Sequence, residues 1–305
     1  MLIRVLGSAA GGGFPQWNCN CNNCRGLRAG TLRASGRSQS SIAVSADGER
    51  WLLCNVSPDI HRQIAANFPP RAADGLRQTA IAAAILVDGQ LDHAAGLLLL
   101  RENRAPLEVW STDPVREDLT QGFPVLGVLE RYCGIDWHRV PTAGQPFAIR
   151  ALPGIAVEAL AVPGRPAPYS LHRLHPRSGD NVALIFRECA SGRQVVYAPG
   201  LQSVTPPLEQ ALRASSCVLV DGTFWTDDEL IRLGASPQTA TAMGHLPQTG
   251  PSGMIAELER LPRTTRRILI HINNTNPILD EAGPERALLT TAGIEVAFDG
   301  MEIGP

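Results

Sequence analysis

Short apolar runs separated by turns recur along the chain and predict a layered arrangement of strands and helices. The central run, residues 80–87, is typical of a buried strand; it ends in a polar turn at 88–93, and an apolar helix-like run follows over 94–100. Further strands are predicted at 2–6, 41–45, 51–56, 107–111, 155–162, 181–186, 195–198, 217–220, 267–272 and 294–298. Helices are predicted at 61–67, 207–214, 253–261 and 285–291, with another beginning at 115–119, whereas 123–154 has no clear period.

Strands that first come in a run and then alternate with helices favour a layered α/β sandwich. No linker divides the chain, so residues 1–305 are expected to form a single domain. Asp92 and His93 follow the central strand, and Asp221 and His271 lie at the ends of two later strands. Because open α/β sheets bind ligands at the carboxyl ends of their strands, these residues predict a site at one sheet edge. Asp92 has a competing interpretation as a helix N-cap, since aspartate is a common cap.

The balance of charge restricts the partners of the chain. Its 305 residues include 27 Lys and Arg and 29 Asp and Glu, giving a net charge of −2, and 44% of them are hydrophobic. This near neutrality offers no electrostatic case for binding nucleic acid or an anionic membrane. No apolar run approaches the roughly 20 residues that span a bilayer, and the N-terminus lacks a basic leader and a cleavage site. We therefore expect a cytoplasmic protein.

Three of the seven cysteines, Cys19, Cys21 and Cys24, lie close together in the sequence. A cytoplasmic chain keeps its thiols reduced, so this cluster is more typical of a metal site than of a disulfide framework. Three thiolates on a tight turn suit a structural tetrahedral Zn²⁺ ion whose fourth ligand comes from elsewhere in the chain; a redox or unmetallated cluster is the alternative. The glycine-rich loop at 7–13 must turn sharply or approach another group closely.

Six motifs carry a family resemblance. They are Gly-Ser-Ala-Ala-Gly-Gly-Gly at 7–13 with the cysteine segment after it, Gln-Leu-Asp-His at 90–93, Val-Asp-Gly-Thr-Phe-Trp at 220–225, Gly-His-Leu-Pro at 244–247, His-Ile-Asn-Asn-Thr-Asn-Pro at 271–277 and Phe-Asp-Gly-Met-Glu-Ile at 298–303. Together they resemble the metallo-β-lactamase-fold family over the whole chain, and within it the branch that acts in biosynthesis of the cofactor pyrroloquinoline quinone. The resemblance implies a four-layer αββα sandwich with a metal cleft at the edge shared by its two sheets.

The central motif departs from the hydrolytic members of that family. Those members carry His-x-His-x-Asp-His after the central strand, whereas here the four positions are Asp88, Gln90, Asp92 and His93. Both histidines that would bind a first metal are therefore replaced. The aspartate and histidine that would bind a second metal remain.

The other ligands of the first metal are also missing. The resemblance places them at Pro163-Gly164 and at Tyr197 or Ala198. A binuclear hydrolase needs two cations about 3.5–4 Å apart, and this chain has too few ligands to hold them. The resemblance therefore implies a single active-site metal held by Asp92, His93 and His271.

Two imidazoles and one carboxylate suit a non-haem Fe²⁺ ion and leave positions open for dioxygen. The same ligands suit a mononuclear zinc ion, so coordination alone leaves both metals open. The resemblance favours Fe²⁺, with O₂ as co-substrate, for hydroxylating the tyrosine-derived ring of a small peptide-derived intermediate. Two alternatives are a carrier of the finished quinone without catalysis and a mononuclear zinc hydrolase. Other proteins of that pathway and a second copy of the chain, as a homodimer, are further expected partners.

The resemblance also implies an acid–base pair. Asp221 aligns with an aspartate near the metal in related phosphodiesterases, and it is either a partner that orients a metal-bound histidine or a turn residue. His245 aligns with the histidine that donates a proton in those enzymes; the alternative is an ordinary loop histidine.

Further candidates lie on two loops. Asn274 occurs three residues after His271, where the related phosphodiesterase closes its cysteine zinc site with a histidine. The fourth zinc ligand here is therefore Asn274, an asparagine of the cysteine segment or water. Arg165, Tyr169 and Arg173 belong to a loop expected to overhang the cleft, and they are candidates for binding the carboxylates of a substrate.

Overall fold

The computed structural model describes residues 1–69 and 76–304. In these ranges the strands are β1 (Leu2–Gly7), β2 (Ser41–Ser45), β3 (Trp51–Cys54), β4 (Ile81–Ile85), β5 (Leu107–Ser111), β6 (Ile135–Arg139), β7 (Phe147–Ala148), β8 (Ile155–Ala161), β9 (Val182–Glu188), β10 (Gln194–Ala198), β11 (Cys217–Asp221), β12 (Arg266–Ile270), β13 (Ile294–Val296) and β14 (Glu302–Ile303). The α-helices are α1 (Asn22–Ala29), α2 (Ile60–Asn67), α3 (Leu91–Ala94), α4 (Asp113–Glu117), α5 (Val125–Leu129), α6 (Pro206–Arg213), α7 (Glu229–Arg232), α8 (Ala240–Met243), α9 (Met254–Glu259) and α10 (Pro284–Thr291).

The strands form two sheets with matching plans. Among the described residues each sheet has seven strands, in the orders β14-β1-β2-β3-β4-β5-β6 and β13-β12-β11-β10-β9-β8-β7. In the first sheet, β3 to β6 pair in parallel and the remaining pairs are antiparallel. In the second, β10 to β13 are the parallel half. Such parallel strands are covered on both faces, which explains the unbroken apolar runs of β4 and β11.

Apolar side chains fill the spaces between four layers. Between the sheets, Ile42, Leu52 and Ile85 of the first belong to the same core cluster as Leu184 and Ile268 of the second. A second cluster joins the outer face of the second sheet to α6, α9 and α10, and a third joins the outer face of the first sheet to α2 and α5. The predicted αββα sandwich is confirmed.

The two sheets come together where the carboxyl ends of β4, β11 and β12 lie. The chain beyond β1 runs beside the chain beyond β12, since the Ile272 amide donates to the Ser8 carbonyl and the Ala10 amide to the Ile272 carbonyl, both at 2.9 Å. On the other side, the Val182 amide donates to the Val87 carbonyl at 2.9 Å. These links fix the positions of the turns that carry the polar residues. Across residues 1–69 and 76–304, no helix has the length and apolar character needed to cross a bilayer.

Candidate metal centre

Asp92, His93 and His271 come together at the junction of the two sheets. Asp92 and His93 lie in α3, and His271 follows β12 directly. One ligand atom from each lies within 4.8 Å of the others, and His271 Nε2 is 3.2 Å from Asp92 Oδ2. His271 adopts a left-handed backbone with φ of 63°, a strained conformation that is common at functional sites. The N-cap of α3 is Gln90, so the interpretation of Asp92 as a helix cap is wrong.

The orientation of His93 is set by Asp88, a residue noted in the sequence only because it replaces a metal-binding histidine of the hydrolytic members. Its Nδ1 lies 2.8 and 2.9 Å from the two carboxylate oxygens of Asp88. Its Nε2 is buried and has no hydrogen-bond partner in the described ranges. Metal-binding histidines usually donate their second ring nitrogen to such a carboxylate, which turns the free nitrogen toward the cation. The orphaned Nε2 therefore fits a cation held by Asp92, His93 and His271.

The charges in this cluster also favour a cation. Burial opposes ionisation of Asp92, but positive charge on His93 and the hydrogen bond from His271 outweigh it and lower the pKa of Asp92. Burial likewise disfavours the charged form of His93, yet the carboxylates of Asp88 and Asp92 raise its pKa to about 9. The buried anionic groups thus hold a proton on His93 that an incoming metal ion would displace.

Asp221 and His245 form a second pair beside the first cluster. His245 Nδ1 lies 2.8 Å from Asp221 Oδ2, and Asp221 is fully buried at the end of β11. Burial opposes ionisation of Asp221, but His245 lowers the pKa of Asp221, whose carboxylate in turn raises the pKa of His245 against the effect of burial. Because Nδ1 is occupied, Nε2 is the ring nitrogen that His245 can offer to a ligand.

Thr223 connects the two clusters. Its Oγ1 lies 2.6 Å from Asp221 Oδ1, 2.8 Å from His271 Nδ1 and 3.1 Å from His245 Nδ1. Neither Thr223 nor Asp88 was predicted to have a functional role. Their positions were the available signal, because both lie in turns that follow a buried strand. Thr223 comes two residues after Asp221, and Asp88 comes five residues before His93.

A cleft of about 320 Å³ opens onto these groups. It is lined by Asp88, Gln90, Asp92, His93, Arg165, Arg173, Asn181, Thr223, His245, His271 and Asn273, among others. The glycine-rich loop reaches its edge, where a Cβ on Gly11 would lie 3.2 Å from Asp92 Oδ2. The loop therefore approaches the site closely, as its composition predicted.

The predicted substrate residues occupy different positions on their loop. Arg165 and Arg173 line the cleft, and the pKa of Arg173 is lowered by burial and by the nearby charge of Arg165. No carboxylate of the described residues lies within ion-pair distance of either guanidinium. The Tyr169 hydroxyl instead donates to the Gly89 carbonyl. Tyr169 therefore fastens this loop to the turn after β4, and its hydroxyl is used within the protein.

The cysteine cluster lies at the start of α1, close to the segment that carries His271. Sγ atoms of Cys19, Cys21 and Cys24 lie within 4.8 Å of one another. The amide nitrogen of Asn274 lies 3.0, 3.7 and 3.4 Å from these three atoms in the same order. The oxygen and nitrogen of an amide exchange positions by a simple flip, which would present an oxygen to the same point. Three thiols and a facing amide can therefore hold a tetrahedral ion.

Comparisons with known proteins agree with one another. Residues 50–272 match the model of the "Beta-lactamase superfamily domain". The chain is 56% identical over 301 residues to coenzyme PQQ synthesis protein B of Azoarcus sp. strain BH72, covering 99% of each. It is similar to the crystal structure of Zn²⁺-bound PqqB from Methylobacterium extorquens, with a TM-score of 0.90, 37% identity and full coverage of both chains. A diphosphatase of the PhnP family shares the fold at 17% identity, with a TM-score of 0.68 and coverage of 100% of this chain and 97% of that one.

Proposed function

Since the chain belongs to the coenzyme PQQ synthesis protein B family of the β-lactamase superfamily, we propose that it acts in pyrroloquinoline quinone synthesis as a mononuclear Fe²⁺- and O₂-dependent hydroxylase. Its substrate would be the tyrosine-derived ring of a small peptide-derived intermediate. The observation that carries the proposal is the donor set: two imidazoles and one carboxylate converge on one point, and the buried His93 Nε2 has no hydrogen-bond partner there among the described residues.

The surroundings of the cluster favour one cation over two. Asp88 is bonded to His93 Nδ1, and the Gln90 amide donates to the Arg165 carbonyl at 3.1 Å. These two side chains stand where a hydrolytic relative would bind its first metal, and both are engaged elsewhere. A single ion with three protein ligands keeps open positions, and when bound Fe²⁺ would supply the activation of O₂ that hydroxylation requires.

The protein's own groups would manage the proton and the substrate. The Asp221–His245 pair can hold a proton at His245 Nε2 or release it, as imidazoles do in acid–base catalysis near neutral pH. Arg165 and Arg173 present two cationic groups to the cleft, which suits a substrate that carries carboxylates. Tyr169 would act on the substrate indirectly, by holding the arginine-bearing loop in place.

The first experiment is anaerobic metal reconstitution followed by measurement of O₂ consumption with the aromatic intermediate. Wild type should take up one Fe²⁺ beyond its zinc and consume O₂; His93→Ala should lose the iron and the activity; Cys21→Ala should lose the zinc. His175→Ala removes an exposed histidine and is the matched control.

Two results would overturn the proposal. Full turnover by iron-free protein reloaded with zinc alone would favour a zinc enzyme. Tight, metal-independent binding of the quinone without turnover would favour a carrier. The reconstitution therefore includes a sample loaded with zinc at the Asp92, His93 and His271 cluster. The Methylobacterium extorquens relative is a zinc-bound structure, and Zn²⁺ outcompetes Fe²⁺ for most sites.

A further inference from the structure

Thr223 occupies the point where the metal cluster and the acid–base pair meet. It is buried in the turn after β11, and among the residues that the structure describes it is the sole hydrogen-bond partner of His271 Nδ1. Its backbone amide donates to Asp221 Oδ1 at 2.9 Å, and its hydroxyl oxygen lies 2.6 Å from the same carboxylate atom. These two hydrogen bonds to Asp221 hold the Thr223 side chain in place independently of its contacts with the histidines.

Counting hydrogens assigns the direction of each bond. A threonine hydroxyl has one hydrogen and two lone pairs, and an ionised carboxylate only accepts. The 2.6 Å contact therefore takes the hydroxyl hydrogen to Asp221, and Oγ1 must accept from His271, 2.8 Å away. His271 then carries its hydrogen on Nδ1. His271 Nε2 now lies 3.2 Å from Asp92 Oδ2, and a cation bound between His271, Asp92 and His93 would replace this contact and take the Nε2 lone pair.

The backbone holds this geometry in place. The Asn273 amide donates to the Thr223 carbonyl at 3.1 Å, and the Asn276 side-chain amide donates to the same carbonyl at 3.2 Å. The turn that carries Thr223 and the strained turn that carries His271 therefore keep a fixed separation. The hydroxyl needs no rearrangement to accept the imidazole hydrogen.

We propose that Thr223 is a positioning residue that fixes the metal-binding tautomer of His271 and joins that imidazole to the Asp221–His245 pair. The two metal-cluster imidazoles are then controlled separately, His93 by the Asp88 carboxylate and His271 by a neutral hydroxyl shared with the acid–base pair. This inference rests on the proposed function only in taking Asp92, His93 and His271 as the cation ligands. It does not depend on which metal binds or on the reaction.

The test compares Thr223→Val, which keeps the shape and removes the hydroxyl, with Thr223→Ser, which keeps the hydroxyl. Thr265→Val is the matched control, because Thr265 is also buried and its hydroxyl donates to the Ser215 carbonyl at 2.9 Å away from the cleft. Full-length protein with zinc preloaded at the cysteines is titrated with Co²⁺. Orienting partners of metal-bound histidines typically contribute about 10–100-fold in affinity, so Thr223→Val should weaken Co²⁺ binding by that factor. Thr223→Ser and Thr265→Val should bind like wild type.

A second readout observes the tautomer itself. Long-range ¹H–¹⁵N spectra of the Zn²⁺-saturated full chain should show the His271 hydrogen on Nδ1 in wild type and Thr223→Ser, and a changed ring pattern in Thr223→Val. Unchanged spectra and unchanged Co²⁺ affinity in Thr223→Val would overturn the inference. If Thr223→Val fails to fold, a wild-type tautomer with hydrogen on Nε2 would overturn it equally. Neither readout measures O₂ consumption, so failure of the hydroxylase proposal would be seen separately.

Discussion

The two imidazoles at the candidate metal centre are held by different chemistry. His93 Nδ1 contacts both oxygens of Asp88 at 2.8 and 2.9 Å, whereas His271 Nδ1 contacts the hydroxyl of Thr223 at 2.8 Å. A carboxylate partner raises the basicity of the imidazole that it holds. A neutral hydroxyl orients the ring with much less effect on its charge. His93 is therefore expected to be the stronger electron donor to a bound cation.

Asn274 provides a test at the cysteine cluster. Its amide faces all three sulfur atoms, and imidazole is a better partner for zinc beside thiolates than an amide oxygen is. We expect Asn274→His to bind zinc at least about tenfold more tightly than wild type, which is about 1.4 kcal/mol, and Asn274→Ala to bind it more weakly. Competition against a chromophoric chelator measures both.

Asn20→Ala is the control, because Asn20 is an exposed asparagine of the same segment. If Asn20→Ala weakens zinc and Asn274→Ala does not, the fourth ligand comes from the cysteine segment instead. Equal affinity in all variants would mean that water completes the site.

Individual residues of the candidate site could be predicted where a sequence motif contains them as ligands. Residues whose role depends on hydrogen bonds formed in the folded protein could not. Asp92, His93 and His271 were identified from their positions at strand ends and from the family motif. Thr223 and Asp88 were not, because their importance lies in hydrogen bonds to histidines that are 48 and 5 residues away in sequence. No spacing rule connects a threonine to a histidine on another strand.

At the level of elements, two turns are fastened together to make the site. Asn276 is fully buried; its amide donates to the carbonyls of Gly222 and Thr223 at 3.0 and 3.2 Å, and its oxygen accepts from the Ile278 amide at 3.1 Å. The Asn23 amide in α1 donates to the Asn274 and Asn276 carbonyls. The cysteine segment, the His271 turn and the Thr223 turn are thus one hydrogen-bonded unit.

Asn276→Ala should loosen this unit. It removes three hydrogen bonds, each of which contributes about 0.5–1.5 kcal/mol, so we expect the free energy of unfolding to fall by about 2–4 kcal/mol in urea titrations. Asn103→Ala is the control, because the Asn103 side-chain amide donates to the nearby Ala105 carbonyl at the surface, and such changes lie within about 0.5 kcal/mol. A loss for Asn276→Ala no larger than that of the control would show that the turns hold without it.

Most elements followed from apolar periodicity. The strands at 41–45 and 107–111 have the predicted bounds, and the predicted strand at 80–87 contains β4. The unpredicted elements lie where the pattern fails. Strand β6 (Ile135–Arg139) has no fully buried residue, so no buried apolar run marks it in the sequence. Helix α1 is stabilised locally, since the Cys21 sulfur accepts from the Cys24 amide at its N-cap, and its residues were interpreted as a tight turn.

At the scale of the whole molecule, closely packed groups occupy the positions where the resemblance to hydrolytic members places the remaining ligands of the first metal. The resemblance places a bridging aspartate at Tyr197 or Ala198, and both residues are fully buried. Tyr197 lies between the sheets, where burial strongly raises the pKa of its phenol. The resemblance places a histidine at Pro163-Gly164, and a Cβ on Gly164 would lie 2.5 Å from the Asn181 side chain. A metal ligand at either position would require other groups to move. The packing of the sandwich therefore disfavours a first metal site.

The double variant Asp88→His/Gln90→His restores the family's two missing histidines and tests this conclusion. We expect no second cation in the cleft, because the remaining ligand positions stay filled. The change also removes the carboxylate that orients His93, so affinity at the Asp92, His93 and His271 cluster should fall by about 10–100-fold. Elemental analysis of the zinc-saturated variant, with Gln90→His as control, measures the stoichiometry, and a phosphodiester substrate measures gained hydrolysis. A second cleft zinc together with hydrolysis would show that two substitutions suffice to recover a binuclear site, and that the packing at Tyr197 and Gly164 is no barrier to it.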